Sequence, residues 1–267
     1  MSSTTSELVA LPNSLAAVRE RVRQGAVARW RVWGMLPIRI VLAVTFQALF
    51  ALGYLVTGSD SPWQSAADLW LASFALAEFC NLWLLARLAR AEGIRLVDLY
   101  NPRRASRTSD LKWTGLAVLV AAPLALLPTA LLAQALWSDP NVGQEMLFHP
   151  VWVPAAWILL IVFPVIHALT ELPTYYGYVL PRLEALTSRV TMPLVLTATT
   201  LSLQHVVLPL LFDTRYLVWR ALMFLPLAFW FGWVVQRRPT SLPYLAVAHG
   251  LLDISLPIFV LTASLSG

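Results

Sequence analysis

A long uncharged run extends from Trp113 to Trp137 and reads WTGLAVLVAAPLALLPTALLAQALW. It contains no Asp, Glu, Lys or Arg, and it exceeds the about 20 apolar residues with which a helix crosses a bilayer. Six further stretches have similar length and apolar character. Together the seven predicted spans are 36–57, 66–88, 113–137, 151–180, 190–212, 217–235 and 242–263. The sequence therefore predicts an all-α, polytopic membrane helical bundle with about seven transmembrane helices.

The composition of the whole chain agrees with this prediction. Of its 267 residues, 58% are hydrophobic and only 12% are charged, and the mean hydropathy is +0.69. Soluble domains carry about 25% charged residues, so this chain has too few charges to cover a surface in water. A soluble enzyme and a disordered tail are excluded on this ground, and a single cysteine, Cys80, excludes a disulfide scaffold.

The basic residues predict the orientation of the bundle. Sixteen of the 19 Lys and Arg residues lie before the first span or in alternate loops, all on one side. These residues are Arg19, Arg21, Arg23, Arg29, Arg31, Arg87, Arg90, Arg95, Arg103, Arg104, Arg107, Lys112, Arg182, Arg189, Arg237 and Arg238. Because loops rich in Lys and Arg stay in the cytoplasm, the N-terminus is predicted to be cytoplasmic. We expect a multi-pass protein of the bacterial inner membrane, with the lipid bilayer as its partner and no nucleic acid bound.

The chain divides into three parts on this reading. Residues 1–34 form a cytoplasmic basic amphipathic segment, residues 35–149 hold the N-terminal transmembrane helices, and residues 150–267 hold a core of transmembrane helices with the candidate site residues. Within the first part, 14–33 has the pattern of an amphipathic helix that lies on anionic headgroups. The same residues also suit a solvated orientation signal, and both interpretations stay open.

Ionisable residues in the last four spans form a pattern. His167 and Glu171 are four residues apart and so share a helix face, as do His249 and Asp253, while His205 lies on the span between. From the nearest arginines on the cytoplasmic side, Glu171 and His249 lie about 16 Å deep, Asp253 about 22 Å and His205 about 24 Å. In a hydrocarbon core of about 30 Å, all four fall near the middle.

Three other ionisable residues in the spans are predicted to be structural. An ionisable group in hydrocarbon costs at least about 2.5 kcal/mol, so each needs a partner or a route to water. Arg39 and Arg220 lie near the ends of spans, where their side chains can snorkel to the headgroups. Glu78 is expected to accept hydrogen bonds from another helix.

A proline lies two residues beyond Glu171. Pro173 has no N–H to give to the Leu169 carbonyl, so a kink and a free carbonyl are expected there. In a membrane such a carbonyl lines a polar cavity or is bonded by a neighbour. A water-filled pocket beside Glu171 and a kink that only improves packing both fit.

These residue types can support peptide hydrolysis. A buried glutamate can act as general base and then as acid, while histidines orient the water and hold the oxyanion. Glu171, His205 and His249 supply these groups, and no cofactor is then required. The same three residues would also make a His2Glu zinc site. The residue types alone leave both chemistries open.

Three short motifs resemble those of a known family. The run from Glu171 to Glu184, ELPTYYGYVLPRLE, is similar to a first motif Glu-Glu-x-x-x-Arg followed by Gly, the run from Leu201 to His205 to Phe-x-x-x-His, and the run from His249 to Asp253 to His-x-x-x-Asn/Asp. Their order and spacing on successive spans resemble the CPBP (CAAX protease and bacteriocin-processing, or Abi) intramembrane proteases. The motif core covers 171–253, and the resemblance extends to about 150–263.

The resemblance implies an all-helical membrane endopeptidase whose site is reached from the cytoplasm and whose substrate is a membrane-associated protein or peptide. Carried over to this chain, Glu171 activates water together with His205. His249 and Asp253 stabilise the oxyanion, and Asp253 does so either in its protonated form or by orienting His249.

The chain departs from the family pattern at three positions. The second glutamate of the first motif is Leu172, its arginine is Tyr176, and the phenylalanine of the second motif is Leu201. His167 and Tyr176 are candidates for supporting roles, and for His167 a structural role is favoured. Alternatives are a catalytically inactive relative that acts as a membrane scaffold or chaperone, a proton- or solute-coupled transporter, and a metal-dependent enzyme of another kind.

Overall fold

The computed structural model describes residues 11–103 and 105–266. The first ten residues of the predicted 1–34 segment, Arg104 and Gly267 lie outside the described residues. The α-helices are α1 (Leu15–Arg23), α2 (Arg29–Met35), α3 (Ile38–Val56), α4 (Pro62–Asp68), α5 (Trp70–Ala91), α6 (Arg107–Trp137), α7 (Val142–Glu145), α8 (Val153–Leu172), α9 (Leu180–Thr187), α10 (Thr191–Gln204), α11 (Thr214–Met223), α12 (Leu225–Arg237), α13 (Leu242–Leu252) and α14 (Ser255–Ser266). Short 3₁₀ helices span Leu96–Tyr100 and Pro239–Ser241, and a π-helical segment spans Pro173–Val179.

The prediction of an all-α, multi-pass membrane bundle is confirmed. The described residues contain no β-strand, and six helices among them are long and apolar enough to cross a membrane. These six are Ile38–Val56, Trp70–Ala91, Arg107–Trp137, Val153–Thr187, Thr214–Arg237 and Pro239–Ser266. Many of their leucines, valines and tryptophans face outward, as expected for helices surrounded by lipid.

The predicted span 190–212 differs from the other six. Helix α10 ends at Gln204, and residues 205–213 continue without a regular helix. Pro209 explains part of this, because it disfavours a helical conformation at Leu208 and offers no N–H itself. The segment still reaches the far side of the bundle, since the Trp63 indole beyond the end of α3 donates to the Leu210 carbonyl at 2.8 Å.

A buried arginine bonds the irregular backbone of this segment. The prediction that Arg220 snorkels is wrong, because the residue is only 4% exposed and its guanidinium points inward. Its Nε donates to the His205 carbonyl at 2.8 Å, and Nη2 donates to the Leu208 carbonyl. Non-helical backbone inside a membrane needs such partners, and Arg220 provides them.

The basic N-terminal segment folds as two helices rather than one. Helix α1 ends near Gly25, which has a φ of +74°, and α2 starts at Arg29. Helix α1 packs against α9, and its Val18 is fully buried. Part of the segment predicted to lie on lipid headgroups therefore contacts the bundle itself.

Arg182 was predicted to be a charge in a solvated loop. It lies instead inside the contact between α1 and α9. It is fully buried, and its Nε and Nη2 bind the two carboxylate oxygens of Glu92 at 2.8 and 2.6 Å. Its Nη1 donates to the Asn13 side chain at 3.1 Å, and its guanidinium stacks on the Tyr178 ring. Arg21 also reaches Glu92, at 3.3 Å. We call these five residues the Arg182 network.

Candidate functional site

The helix that carries Glu171 changes its winding just beyond that residue. Pro173 starts the π-helical segment Pro173–Val179, and the Leu169 carbonyl that Pro173 cannot serve accepts a hydrogen bond from the Tyr100 hydroxyl at 2.7 Å. A neighbouring residue therefore bonds the carbonyl, one of the two outcomes expected from the sequence. The wider turn also changes the direction in which the residues beyond it face.

Glu171 is the centre of a buried polar cluster and is only 1% exposed. Its Oε1 lies 2.8 Å from Nε2 of His249, and its Oε2 lies 3.1 Å from Nη2 of Arg39 and 3.2 Å from Nε2 of His167. The amide of Gln204 also donates to Oε2. Groups from four helices thus hold this carboxylate in one orientation.

Arg39 does not snorkel, so this prediction is wrong. The residue is 1% exposed and forms a two-pronged ion pair with Glu78, with Nη1 and Nη2 at 2.5 and 2.6 Å from the carboxylate oxygens. Its Nε donates to the side-chain oxygen Oε1 of Gln204 at 2.6 Å. The bidentate pair with Glu78 stabilises the guanidinium more strongly than a lipid headgroup would, because planar bidentate pairing with a carboxylate is the strongest interaction of arginine. Glu78 accepts hydrogen bonds from residues of other helices, as predicted from the sequence.

His167 joins the Glu78 pair to the Glu171 carboxylate. Its Nδ1 lies 2.8 Å from Glu78 Oε1, and its Nε2 lies 3.2 Å from Glu171 Oε2 and 3.5 Å from Asp253 Oδ2. The ring stacks on Phe163. His167 is therefore part of the cluster itself and contacts both carboxylates of the predicted site.

Asp253 completes the cluster from the end of α13. Its Oδ2 lies 3.4 Å from His249 Nε2, and this buried oxygen has no hydrogen-bond partner among the described residues. We call the seven residues Arg39, Glu78, His167, Glu171, Gln204, His249 and Asp253 the Glu171 cluster. It is not confined to 150–267, because Arg39 and Glu78 come from the predicted N-terminal helices.

A glycine lets α13 approach α8 closely enough for the His249–Glu171 hydrogen bond. A Cβ on Gly250 would lie 2.6 Å from the Ala168 Cβ and 2.7 Å from the Pro164 carbonyl oxygen. Both distances are shorter than van der Waals contact allows, so the packing of these helices requires glycine here.

His205 lies apart from the cluster but faces the same cavity. Its Nδ1 donates to the Leu201 carbonyl at 3.1 Å, and its ring contacts Phe224. No hydrogen bond joins it to Glu171 among the described residues. A neutral ring with its proton on Nδ1 presents Nε2 as an acceptor.

Tyr176 does not enter the cluster. Its hydroxyl donates to the Ala228 carbonyl at 2.5 Å, which ties the π-helical segment to α12. The position that matches the arginine of the family motif therefore has a packing contact here. Leu172, at the position of the second glutamate, is buried in the same apolar core.

A cavity of about 420 Å³ ends at the cluster. His167, Glu171, His205, His249 and Asp253 line one part of it, and most of the remaining wall is aromatic or aliphatic. Trp70, Leu147 and Phe148 belong to that wall and lie near the loops of the side opposite the arginine-rich one. The cavity thus extends away from the arginine-rich side, whereas the resemblance implied access from that side.

The structure groups different metal-ligand atoms from those expected. The expected set was Glu171, His205 and His249, but the atoms that lie within 4.8 Å of one another belong to His167, Glu171 and His249. Asp253 lies beside them. Two imidazoles and two carboxylates are a donor set suited to zinc.

Sequence reasoning missed three members of the cluster as site residues, namely Arg39, Glu78 and Gln204. A signal existed for two of them, since Arg39 and Glu78 are ionisable residues of opposite charge inside predicted spans and could have been paired. For Gln204, which precedes His205 directly, only the three-dimensional contact identifies the role.

The chain was also compared with known proteins. Neither a comparison with protein-family models nor searches of curated proteins and of solved structures found a match.

Proposed function

We propose that this protein is an intramembrane endopeptidase that hydrolyses peptide bonds of a membrane-associated protein or peptide. The single observation that carries the proposal is the Glu171 carboxylate at the end of a largely apolar cavity within membrane-spanning helices, held by Arg39, Gln204 and His249. On the resemblance to the CPBP family and on the distribution of arginines, we place it in the cytoplasmic membrane of a bacterium with the N-terminus inside.

Glu171 is the general base of the proposed reaction. It takes a proton from a water molecule as the water oxygen attacks the peptide carbonyl carbon. The tetrahedral intermediate carries a negative oxygen and collapses as the C–N bond breaks. The proton held by Glu171 then passes to the leaving amine nitrogen, and the carboxylate is restored.

The two histidines have different roles on this mechanism. His205 presents an acceptor nitrogen to the cavity, which suits it to orient the attacking water. His249 donates from Nε2 toward the carboxylate, and a small shift of this donor serves the oxyanion. Asp253 lies 3.4 Å from the same nitrogen and stabilises its protonated form.

The cavity supports a substrate with apolar side chains. Aromatic and aliphatic walls bind an extended apolar segment, while the polar groups lie at one end only. A peptide bond enters such a site when the segment around it leaves the lipid or lies at its surface.

The test is cleavage of a panel of reconstituted single-span membrane proteins by the purified protein in liposomes. Glu171→Gln is expected to lower cleavage by about 10²- to 10⁴-fold, the usual contribution of a general base, while Glu145→Gln at the exposed end of the short helix α7 retains the wild-type rate. Equal rates for Glu171→Gln and the wild type would overturn the proposal.

A catalytically inactive scaffold or chaperone is the second candidate. It is favoured by Leu172 and Tyr176, which are both buried in apolar packing where the family motif has charged residues. On this reading, the triple variant of Glu171, His205 and His249 leaves binding of the partner protein and the cellular phenotype unchanged.

A further inference from the structure

The cavity beside Glu171 is covered toward the water on the side opposite the arginine-rich one. Leu147, in the segment that precedes α8, is buried, and its carbonyl accepts a hydrogen bond from the Trp70 indole at 2.8 Å. Phe148 follows it and packs on Phe259, with the ring centroids 5.0 Å apart. This segment therefore lies across the end of the cavity that would otherwise face water.

The opposite end of the cavity stops at the Glu171 cluster and at packed apolar side chains. Leu172, Tyr176, Leu201 and Leu245 belong to one buried core, and none of them is more than 4% exposed. Among the described residues, this core separates the cavity from the arginine-rich side. A substrate-sized molecule thus has no direct route from that side.

The open side of the cavity faces lipid, between α6 and α14. Among the residues that line the cavity, Leu126 on α6 is 69% exposed and Phe259 on α14 is 44% exposed. Leu252 and Ser255, at the break between α13 and α14, are exposed as well. Helix α14 packs mainly on α8, whereas α6 contacts α11, α12 and α13. We call Leu126, Leu252, Ser255 and Phe259 the lateral portal.

The lateral portal lies in the half of the membrane opposite the arginine-rich side. Helix α6 starts on the arginine-rich side at Arg107, and Leu126 lies past its midpoint. Helix α14 starts at Ser255, inside the apolar span Pro239–Ser266, and ends toward the opposite surface. A molecule that enters through the portal therefore comes from the hydrocarbon of that half of the bilayer.

The polar groups of the cavity fit a polypeptide better than a lipid acyl chain. An acyl chain enters with its methyl end first and offers no polar atom to the Glu171 cluster. A polypeptide has an N–H and a carbonyl at every residue, and these need partners within a membrane. Thr129 and Ser255 line the cavity and donate their hydroxyls to backbone carbonyls at 2.6 and 2.9 Å. Their oxygens can still accept from the N–H groups of a peptide.

We propose that the lateral portal admits an apolar transmembrane segment of a single-span protein from the half of the bilayer opposite the arginine-rich side. This inference rests on the proposed function and names its substrate class. A cavity of about 420 Å³ holds only about one turn of a helix about 10 Å wide, so the segment enters as a short extended stretch. The peptide bond that reaches Glu171 then lies within the membrane-spanning part of the substrate.

The first test is photo-cross-linking in liposomes with the Glu171→Gln variant, which is expected not to cut the probe. The probe is a synthetic single-span peptide of about 20 leucines and alanines with lysines at both ends and a Gly-Pro pair that favours local unwinding. p-Benzoylphenylalanine at position 126 or 259 is expected to cross-link to the peptide several-fold more than at position 127 or 258. Leu127 and Ile258 are the matched controls, because they are exposed on the same helices but do not line the cavity.

The second test narrows the portal with Leu126→Trp in the otherwise wild-type chain. Leu126 is exposed to lipid, so the larger side chain is expected to leave the Tm unchanged and to lower cleavage of the same peptide several-fold. Leu127→Trp, one residue further along the same helix, is expected to retain the wild-type rate.

Three results would overturn the portal. They are equal cross-linking at all four positions, cross-links from positions 126 and 259 to phospholipid alone, and an unchanged cleavage rate in Leu126→Trp. A protein that cleaves the peptide and gives any of these results would keep the proposed function and reject the portal. Portal-specific cross-links to the peptide, together with no cleavage by the wild type, would reject the endopeptidase and keep the portal as a binding site for a transmembrane segment.

Discussion

Two buried arginines in this molecule have different surroundings. In the Arg182 network every guanidinium nitrogen of Arg182 donates to a carboxylate, a side-chain oxygen or a backbone carbonyl, although Nη2 of Arg21 is buried without a hydrogen bond. None of the five residues of this network lines the 420 Å³ cavity. In the Glu171 cluster Arg39 is equally well bonded, to the carboxylates of Glu78 and Glu171, and the third carboxylate, Asp253, lies beside His167 and His249. Only this cluster borders the cavity.

The difference separates a structural ion pair from a candidate site. Burial of charge is common to both networks and so does not identify function. Contact with open space does, because a carboxylate and imidazoles that line a cavity can meet a substrate. Substitutions in the two networks test this difference.

The largest expected effect on stability is that of Arg182→Met. Removal of the guanidinium leaves Glu92 buried between fewer partners, and the free energy of unfolding is expected to fall by about 3–5 kcal/mol. Denaturant titration in mixed micelles measures this change. The double variant Arg182→Met with Glu92→Met recovers most of the loss. A loss below about 1 kcal/mol for the single variant would show that the network is not structural.

An intermediate effect is expected for Gln204→Met. This amide accepts from Arg39 and donates to the Glu171 carboxylate, so the substitution removes hydrogen bonds to charged groups, worth about 1.5–3 kcal/mol. It is a positioning residue for Glu171, so the cleavage rate and its pH profile are expected to change as well.

Gln47→Met is the matched control for Gln204→Met. Gln47 is equally buried, but both of its hydrogen bonds go to the backbone of Leu210. Its loss is expected to lower stability and leave the pH profile of cleavage as in the wild type. The same change of profile in both variants would mean that Gln204 acts only through packing.

The smallest effect is expected for Tyr176→Phe. The substitution removes one neutral hydrogen bond to the Ala228 carbonyl, so the free energy of unfolding should fall by about 1 kcal/mol. Cleavage per folded molecule stays at the wild-type rate, because the hydroxyl points away from the cluster. A loss of cleavage that exceeds the loss of folded protein would assign Tyr176 a role in the site.

Much of the fold follows from the sequence, since long apolar runs have few alternatives to spanning helices. The i, i+4 pairs His167–Glu171 and His249–Asp253 could likewise be placed on shared helix faces, because periodicity alone decides it. The span 190–212 was misjudged because its mean hydropathy hides Pro209, which weakens the helix after Gln204.

The partners of Glu171 could not be predicted in the same way. Arg39 lies 132 residues away along the chain, and only the packing of separate helices decides which residue it meets. A single arginine near the end of a span fits snorkelling and burial equally well from sequence. The membership of the cluster was hidden for the same reason, since its ionisable residues come from four helices.

The glycine at position 250 matters for the interpretation of related sequences. Any β-carbon at this position would force α13 away from α8, and the His249–Glu171 hydrogen bond of 2.8 Å would open. Natural variants with alanine or serine there would therefore keep every polar residue of the motifs and still lose the geometry. The residue at position 250 therefore indicates whether the carboxylate and the imidazoles of the motifs can contact one another.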